Sequence, residues 1–293
     1  MKTITIAFEN FWPGFESKNN FFLSLLRRHY IVHVDNSAKF VDVRFYSYFS
    51  KKKKFLSNKI ESIFLRHLPK KLQRISIFFS GENDLPNLNM YDFTLSCIRI
   101  QDDRIIYLPL WFLNIDWFDN QSYITGEMKR FGRPIKPIEL VSVPKYKKYL
   151  FCSAVFRNQH FLRLYAIAQL KKHGKCDVFG TNNPVALKVD ALEPYIYNLC
   201  FENSVSPGYV TEKLIEAKVC GCVPIYYGYP LDEERYNKDS LINLFDNDII
   251  FKRELFSEEN IVKICETPLL NVDPMKWFLD VESEIMLKIK ERL

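Results

Sequence analysis

The chain has 293 residues, 47% of them hydrophobic and 15% aromatic, which is enough for two ordinary domains with cores of their own. Its net charge of +6 is modest and, apart from the run Lys51–Lys54, scattered; it suits an anionic nucleotide, a phosphorylated glycan or a membrane surface, and the lysine run reads most simply as a solvated helix flank. Seven cysteines at irregular spacing form neither a disulfide framework nor a zinc pattern, and no stretch reaches the roughly 18 uninterrupted apolar residues of a membrane span, so reduced, mostly buried thiols and a soluble, cytoplasmic protein are expected.

In chain order the first half alternates strand-like and helix-like segments. Strand patterns cover Thr3–Phe8, Ile31–Val34, Val41–Phe45 and Ile75–Phe79, with helical patterns over Phe21–Arg28 and Ile60–Leu68, and shorter strands follow around Phe93–Cys97 and Ile105–Leu108. The alternation favours a parallel sheet with crossover helices. After Phe79 comes the polar turn Ser80-Gly81-Glu82-Asn83-Asp84, which places Glu82 at the carboxyl end of a strand. A carboxylate there can take a proton from a substrate hydroxyl, or simply cap nearby N–H groups. Asp102-Asp103-Arg104 carries no assigned chemistry. Between Gly126 and Lys148 the periodicity lapses into a proline-rich, basic stretch that reads as a linker, with a domain boundary near Lys148.

The second half opens with a strand over Tyr149–Val155, a helix over Gln159–Lys172 and a strand over Cys176–Phe179, and a helix-like stretch leads into Tyr195. The stretch Tyr195–Gly228 then reads as strand, helix, strand. Ser206-Pro207 supplies start signals and Gly221 a stop, and the first turn would carry Tyr209, Thr211, Glu212 and Lys213. A helix N-terminus beyond the end of a parallel strand attracts phosphate, and Lys213 adds a full charge. Glu212 suits sugar or ribose hydroxyls, while Asn203 in the preceding loop can donate and accept. An ordinary βαβ unit with solvated charges would look the same, and periodicity does not separate the two. Asp246-Asn247-Asp248 has the spacing of a metal-holding pair but reads equally as a turn. Two capped helices close the chain, Glu258–Glu266 after Ser257 and Met275–Arg292 after Asp273-Pro274. The last carries Phe278, Val281, Ile285 and Ile289 on one face, as a core helix or an amphipathic membrane anchor would.

The segment CFENSVSPGYVTEKLIEAKVCGCVPIYYG resembles the signature of the family 10 α-1,3/4-fucosyltransferases, inverting enzymes that use GDP-fucose. The resemblance implies donor contacts at Asn203, Tyr209, Glu212 and Lys213. ISIFFSGENDLPNLNMYDF resembles the bacterial members' segment whose glutamate is the general base, which implies that role for Glu82; a family tyrosine is Phe79 here, so its hydroxyl is lost while a stacking surface is expected to remain. RLYAIAQLKKHGKCDVFG is similar to the segment that begins with a pyrophosphate-binding arginine, implying Arg163, with Arg157 as rival.

From the resemblance we expect a GT-B-like α/β fold of two Rossmann-like domains facing across a cleft, residues 1–148 binding the acceptor and 149–293 binding GDP-fucose. The implied reaction is fucosyl transfer to a GlcNAc or Glc hydroxyl of a lactose or N-acetyllactosamine type glycan. The partners expected are GDP-fucose and an oligosaccharide acceptor, no nucleic acid, and weak peripheral association with the inner face of a membrane. No cofactor is expected to be required and no metal site is assigned, a divalent ion being at most stimulatory. Another nucleotide sugar, or a non-catalytic binding protein of the same fold, is the alternative.

Overall fold

The structure, a computed structural model, describes residues 1–49, 72–118, 124–144, 148–245 and 251–293. The run Lys51–Lys54, the helix expected over Ile60–Leu68 and the triplet Asp246-Asn247-Asp248 lie outside them. The chain divides into two compact units, one formed by Met1–Leu108, Gln121–Gly126 and Asp280–Leu293, the other by Pro109–Asn120 and Glu127–Leu279.

The first unit holds β1 (Thr3–Glu9), α1 (Phe21–Arg27), β2 (Ile31–Val34), β3 (Phe40–Tyr46), β4 (Leu72–Ser80), β5 (Phe93–Ser96) and β6 (Ile105–Tyr107). Its six strands form one parallel sheet in the order β2-β1-β3-β4-β5-β6. Parallel sheets are covered on both faces, and their strands are accordingly apolar runs: Ile75, Ile77, Phe78 and Phe79 are all buried in β4. α1 begins where Asn20 accepts a hydrogen bond from the Leu23 amide at 2.9 Å, and it buries Phe21, Phe22, Leu25 and Leu26.

The second unit contains α2 (Gly126–Phe131), β7 (Leu150–Val155), α3 (Phe161–Leu170), β8 (Cys176–Phe179), β9 (Tyr195–Phe201), α4 (Glu212–Val219), β10 (Val223–Tyr227), β11 (Ile242–Asn243) and α5 (Glu258–Glu266). Its parallel sheet runs β11-β10-β9-β7-β8. The last helix, α6 (Pro274–Lys290), begins in this unit and ends in the first. Its residues Phe278, Val281, Ile285 and Ile289 are buried at 6% exposure or less, so the stripe an amphipathic anchor would offer to lipid is occupied by the protein itself. No described helix is long and apolar enough to cross a membrane. All seven cysteines are free and six are buried.

The stretch from Gly126 to Pro144 is packed structure and not a linker. Met128, Phe131, Ile135 and Leu140 are each 1% exposed. Two of the basic residues that suggested a linker are paired, Lys136 with Asp116 at 2.7 Å across 20 residues of chain and Arg133 with Glu139 at 2.7 Å. The boundary expected near Lys148 therefore lies inside the second unit, while the end of α6 groups with the first. Before Tyr195 the helix-like stretch condenses to one 3-10 turn, Lys188–Ala191.

Candidate active site

The second sheet reverses its winding at β7: the chain adds β8 on one side, then returns to place β9 on the other. In an open α/β sheet the crevice beyond the carboxyl ends of such neighbours is where ligands bind. A cavity of about 380 Å³ lies there, reached by residues that follow β7 and β9, by α4 and by the 3-10 turn. Five cations, Arg130, Arg157, Arg163, Lys188 and Lys213, line it against two carboxylates, Glu212 and Glu216, so its charge suits an anion. At its wall Gly180 closes β8: a Cβ there would stand 2.0 Å from the Phe156 carbonyl oxygen, so two backbones meet at a distance that only glycine permits.

Arg163 projects from α3 and is 3% exposed. Its guanidinium donates to the Asn158 and Phe201 carbonyls at 2.9 and 2.8 Å and to the Asn203 side-chain oxygen at 2.8 Å. It thus ties the end of β9 to the loop after β7 and orients Asn203, which is itself exposed at the cavity. Arg157 also lines the cavity and is exposed, so the structure brings both rival arginines to one site.

α4 starts later than Ser206-Pro207 suggests. Gly208 adopts φ +78°, a turn closes from the Tyr209 amide to the Ser206 carbonyl, and Thr211 is the N-cap, so Glu212 is the first helical residue. The cause is Glu202, at the end of β9 and 7% exposed: its carboxylate accepts from the Thr211 amide at 2.8 Å and from the Thr211 hydroxyl at 2.6 Å. A carboxylate from the protein therefore already occupies the helix entrance where a phosphate was expected. Lys213 lies 3.4 Å from Glu202 and donates to the Thr211 hydroxyl at 3.0 Å. Gly221, as expected, ends the helix at φ +74°, with its amide and that of Cys222 returning to Lys218 and Ala217.

On the next turn Lys188 bridges Glu212 at 3.2 Å and Glu216 at 2.6 Å. Burial works against the charge of Glu212, but Lys188 and then Lys213 override it and hold this carboxyl well below the usual range. Glu216 sits deeper; burial outweighs Lys188 and pushes its carboxyl up to about 7. Burial likewise raises the carboxyl of Glu202, against the opposing pull of Lys213 and the Thr211 hydrogen bonds.

Arg163, Asn203, Glu212 and Lys213 thus line one cavity. Tyr209 does not line it; it is 2% exposed in the turn before α4. Glu82 belongs to the first unit, exposed in the turn after β4, where its backbone carbonyl accepts from the Ser80 hydroxyl at 3.0 Å and from the Asp84 amide at 2.8 Å. Phe79 offers no stacking surface. It is 1% exposed and covered by Phe11, Trp12 and Phe22, whose ring centroids lie 6.4, 6.3 and 5.0 Å from its own.

Residues 6–114 match the model of the α-(1,3)-fucosyltransferase FucT N-terminal domain, and residues 144–249 that of the glycosyltransferase family 10 (fucosyltransferase) C-terminal region. The chain belongs to the family 10 fucosyltransferases. It is similar to the α-(1,3)-fucosyltransferase FucT of Helicobacter pylori, 26% identical over 94% of this chain and 62% of that one. It is also similar to a 3-galactosyl-N-acetylglucosaminide 4-α-L-fucosyltransferase of Bos taurus, 34% identical over 32% of this chain and 27% of that one. The chain thus spans less than two thirds of the length of these curated relatives. Crystal structures of an α1,3-fucosyltransferase share the GT-B-type fold: one with GDP superposes at TM-score 0.70 and one with GDP-fucose at 0.68, each 20% identical over 99% of this chain and 91% of the other.

Two charged residues that no sequence pattern singled out shape this region: Lys188 in the cavity wall and Glu202 at the entrance of α4. Glu202 lies inside the signature segment, nine residues before Thr211, and its position between a strand and a helix start was the available signal. Lys188 had none: 24 residues of chain separate it from Glu212, and only the fold brings them together.

Proposed function

We propose that this protein is an inverting, GDP-fucose-dependent α-1,3-fucosyltransferase acting on a GlcNAc or Glc hydroxyl of a β-galactoside glycan of the lactose or N-acetyllactosamine type. The observation that carries the donor half is the cationic cavity at the β7/β9 reversal, lined by four of the five residues to which the family segments give a donor contact. Arg163 and Lys213 hold the diphosphate and stabilise the charge that builds on it as the bond to the anomeric carbon breaks, the work a divalent ion does elsewhere. Glu212, kept ionised by its lysine neighbours, accepts hydrogen bonds from donor hydroxyls, and Asn203 adds a donor and an acceptor beside it. The buried Tyr209 supports the turn from which α4 departs.

Glu82 is the base in this reading. Its carboxylate takes the proton of the acceptor hydroxyl as that oxygen attacks the anomeric carbon from the face opposite the departing GDP. For the acceptor, support comes from the first sheet, which reverses its winding between β1 and β3. There Phe11, Trp12 and Phe15 form a half-exposed aromatic patch with centroids 4.2 to 5.4 Å apart, packed on the Phe79 that precedes the Glu82 turn. Such rings suit the C–H faces of pyranose sugars.

The test is GDP release from GDP-fucose with and without lactose or N-acetyllactosamine, with EDTA in a parallel set. Acceptor-dependent release that survives EDTA is expected. Release with UDP-sugars but not GDP-fucose would reassign the donor, and release abolished by EDTA would overturn the metal-free reading.

A further inference from the structure

Lys188 stands in the cavity yet lies outside the segments that carry the family resemblance. It opens the 3-10 turn Lys188–Ala191, which is pinned by the buried Ala191 and Leu192 at 0% and 3% exposure. Its side chain is 15% exposed, and its ammonium lies between two carboxylates on successive turns of α4, 3.2 Å from Glu212 and 2.6 Å from Glu216. The two carboxylates differ in access: Glu216 is 4% exposed and Glu212 21%. The shorter contact thus anchors Lys188 to the deeper of the two carboxylates that line the cavity, and the longer one reaches the more exposed.

We propose that Lys188 is a positioning residue for the nucleotide donor, clamping the Glu212 carboxylate in place as the acceptor for a vicinal diol of that donor. The proposal rests on the donor-site reading above. A lysine committed to Glu216 is poorly placed to act as a mobile phosphate ligand, and it satisfies only one Glu212 oxygen. A carboxylate has about four acceptor sites, so Glu212 retains the capacity to receive two adjacent hydroxyls. With Lys188 removed, Glu212 and Glu216 would face each other across one helical turn with no charge between them, leaving Arg130 and Lys213 as their cationic neighbours. Glu212 would then share a proton or swing away. The diol could belong to the ribose of the nucleotide or to the transferred sugar; the chemistry recognised is the same.

The experiment is calorimetric titration of GDP and of GDP-fucose into the wild-type protein and into Lys188→Met, Lys188→Arg, Glu212→Gln and the double variant Lys188→Met/Glu212→Gln. Lys188→Met should weaken binding roughly ten- to a hundredfold, the usual consequence of losing a charge-assisted contact, with Lys188→Arg recovering most of it. Loss with GDP would place the diol on the ribose, and loss confined to GDP-fucose would place it on the sugar. In the Glu212→Gln background the lysine change should add little, because the clamp acts through Glu212. If Lys188→Met is poorly folded, Lys188→Met/Glu216→Gln removes the repelling carboxylate and leaves only the lost clamp; it should bind more weakly than Glu216→Gln alone, by less than Lys188→Met falls below the wild type. Wild-type affinity in a folded Lys188 variant, or losses that simply add to those of Glu212→Gln, would overturn the proposal. Failure of the donor-site reading is distinguishable: Arg163→Ala and Lys213→Ala would then bind GDP as tightly as the wild type.

Discussion

At the scale of single residues the carboxylates divide by environment. Glu82 is exposed in a turn, whereas Glu202, Glu212 and Glu216 are enclosed on α4 or at its entrance, where burial raises Glu202 and Glu216 while Lys188 and Lys213 hold Glu212 low. Replacing Glu82 by Gln keeps the turn's shape and removes the base. Turnover should fall about 10²- to 10⁴-fold with GDP affinity unchanged, a separation that steady-state kinetics and calorimetry resolve. Undiminished turnover would exclude Glu82 from the mechanism. Trp12→Ala should raise KM for the acceptor about five- to tenfold and leave KM for the donor alone, the effect of one lost aromatic contact. An equal rise for both substrates would show that the patch is only structural.

At the scale of elements, α4 is placed by Glu202 at one end and Gly221 at the other, and its first two turns carry the charged wall of the cavity. The pH dependence follows from Glu216. Its carboxyl is raised to about 7 in the folded protein from 4.5 unfolded, so the folded state holds the extra proton between those values. Its contribution to stability is present below pH 4.5 and is lost as pH rises through 7. Each unit of that gap is worth about 1.4 kcal/mol, so Glu216→Gln should flatten the Tm-against-pH curve between pH 4.5 and about 7 by several degrees. A slope unchanged from wild type would mean that Glu216 stays ionised. Gly180→Ala should lower both GDP affinity and Tm, because its Cβ would collide with the Phe156 carbonyl and push the Phe156–Arg157 wall.

At the scale of the whole molecule, α6 buries Phe278, Val281, Ile285 and Ile289, and its Glu282 accepts from Arg28 at 2.7 Å and lies 3.0 Å from His29. Each of those four side chains is worth about 1.5–3 kcal/mol of burial, comparable together to the stability of a domain. Truncation after Pro274 should therefore abolish a cooperative melting transition. A stable, soluble truncated protein that had merely lost affinity for vesicles would restore the anchor reading.

Short-range patterns in the chain were sufficient for both parallel sheets, nearly every described strand, the stop at Gly221, the cap at Ser257 and the family segments that mark Arg163, Asn203, Glu212 and Lys213. Local periodicity and capping chemistry reach that far because each depends on neighbours within a few residues. The remainder was settled by packing between distant segments. The Gly126–Pro144 stretch looked like a linker because its buried residues follow no period and its basic residues find partners only in the fold. The start of α4 moved because a carboxylate nine residues upstream bonds its cap. Phe79 lost its stacking face to rings from the loop after β1. Lys188 entered the site because a 3-10 turn brings its ammonium across α4, a contact between distant parts of the chain that no local pattern encodes.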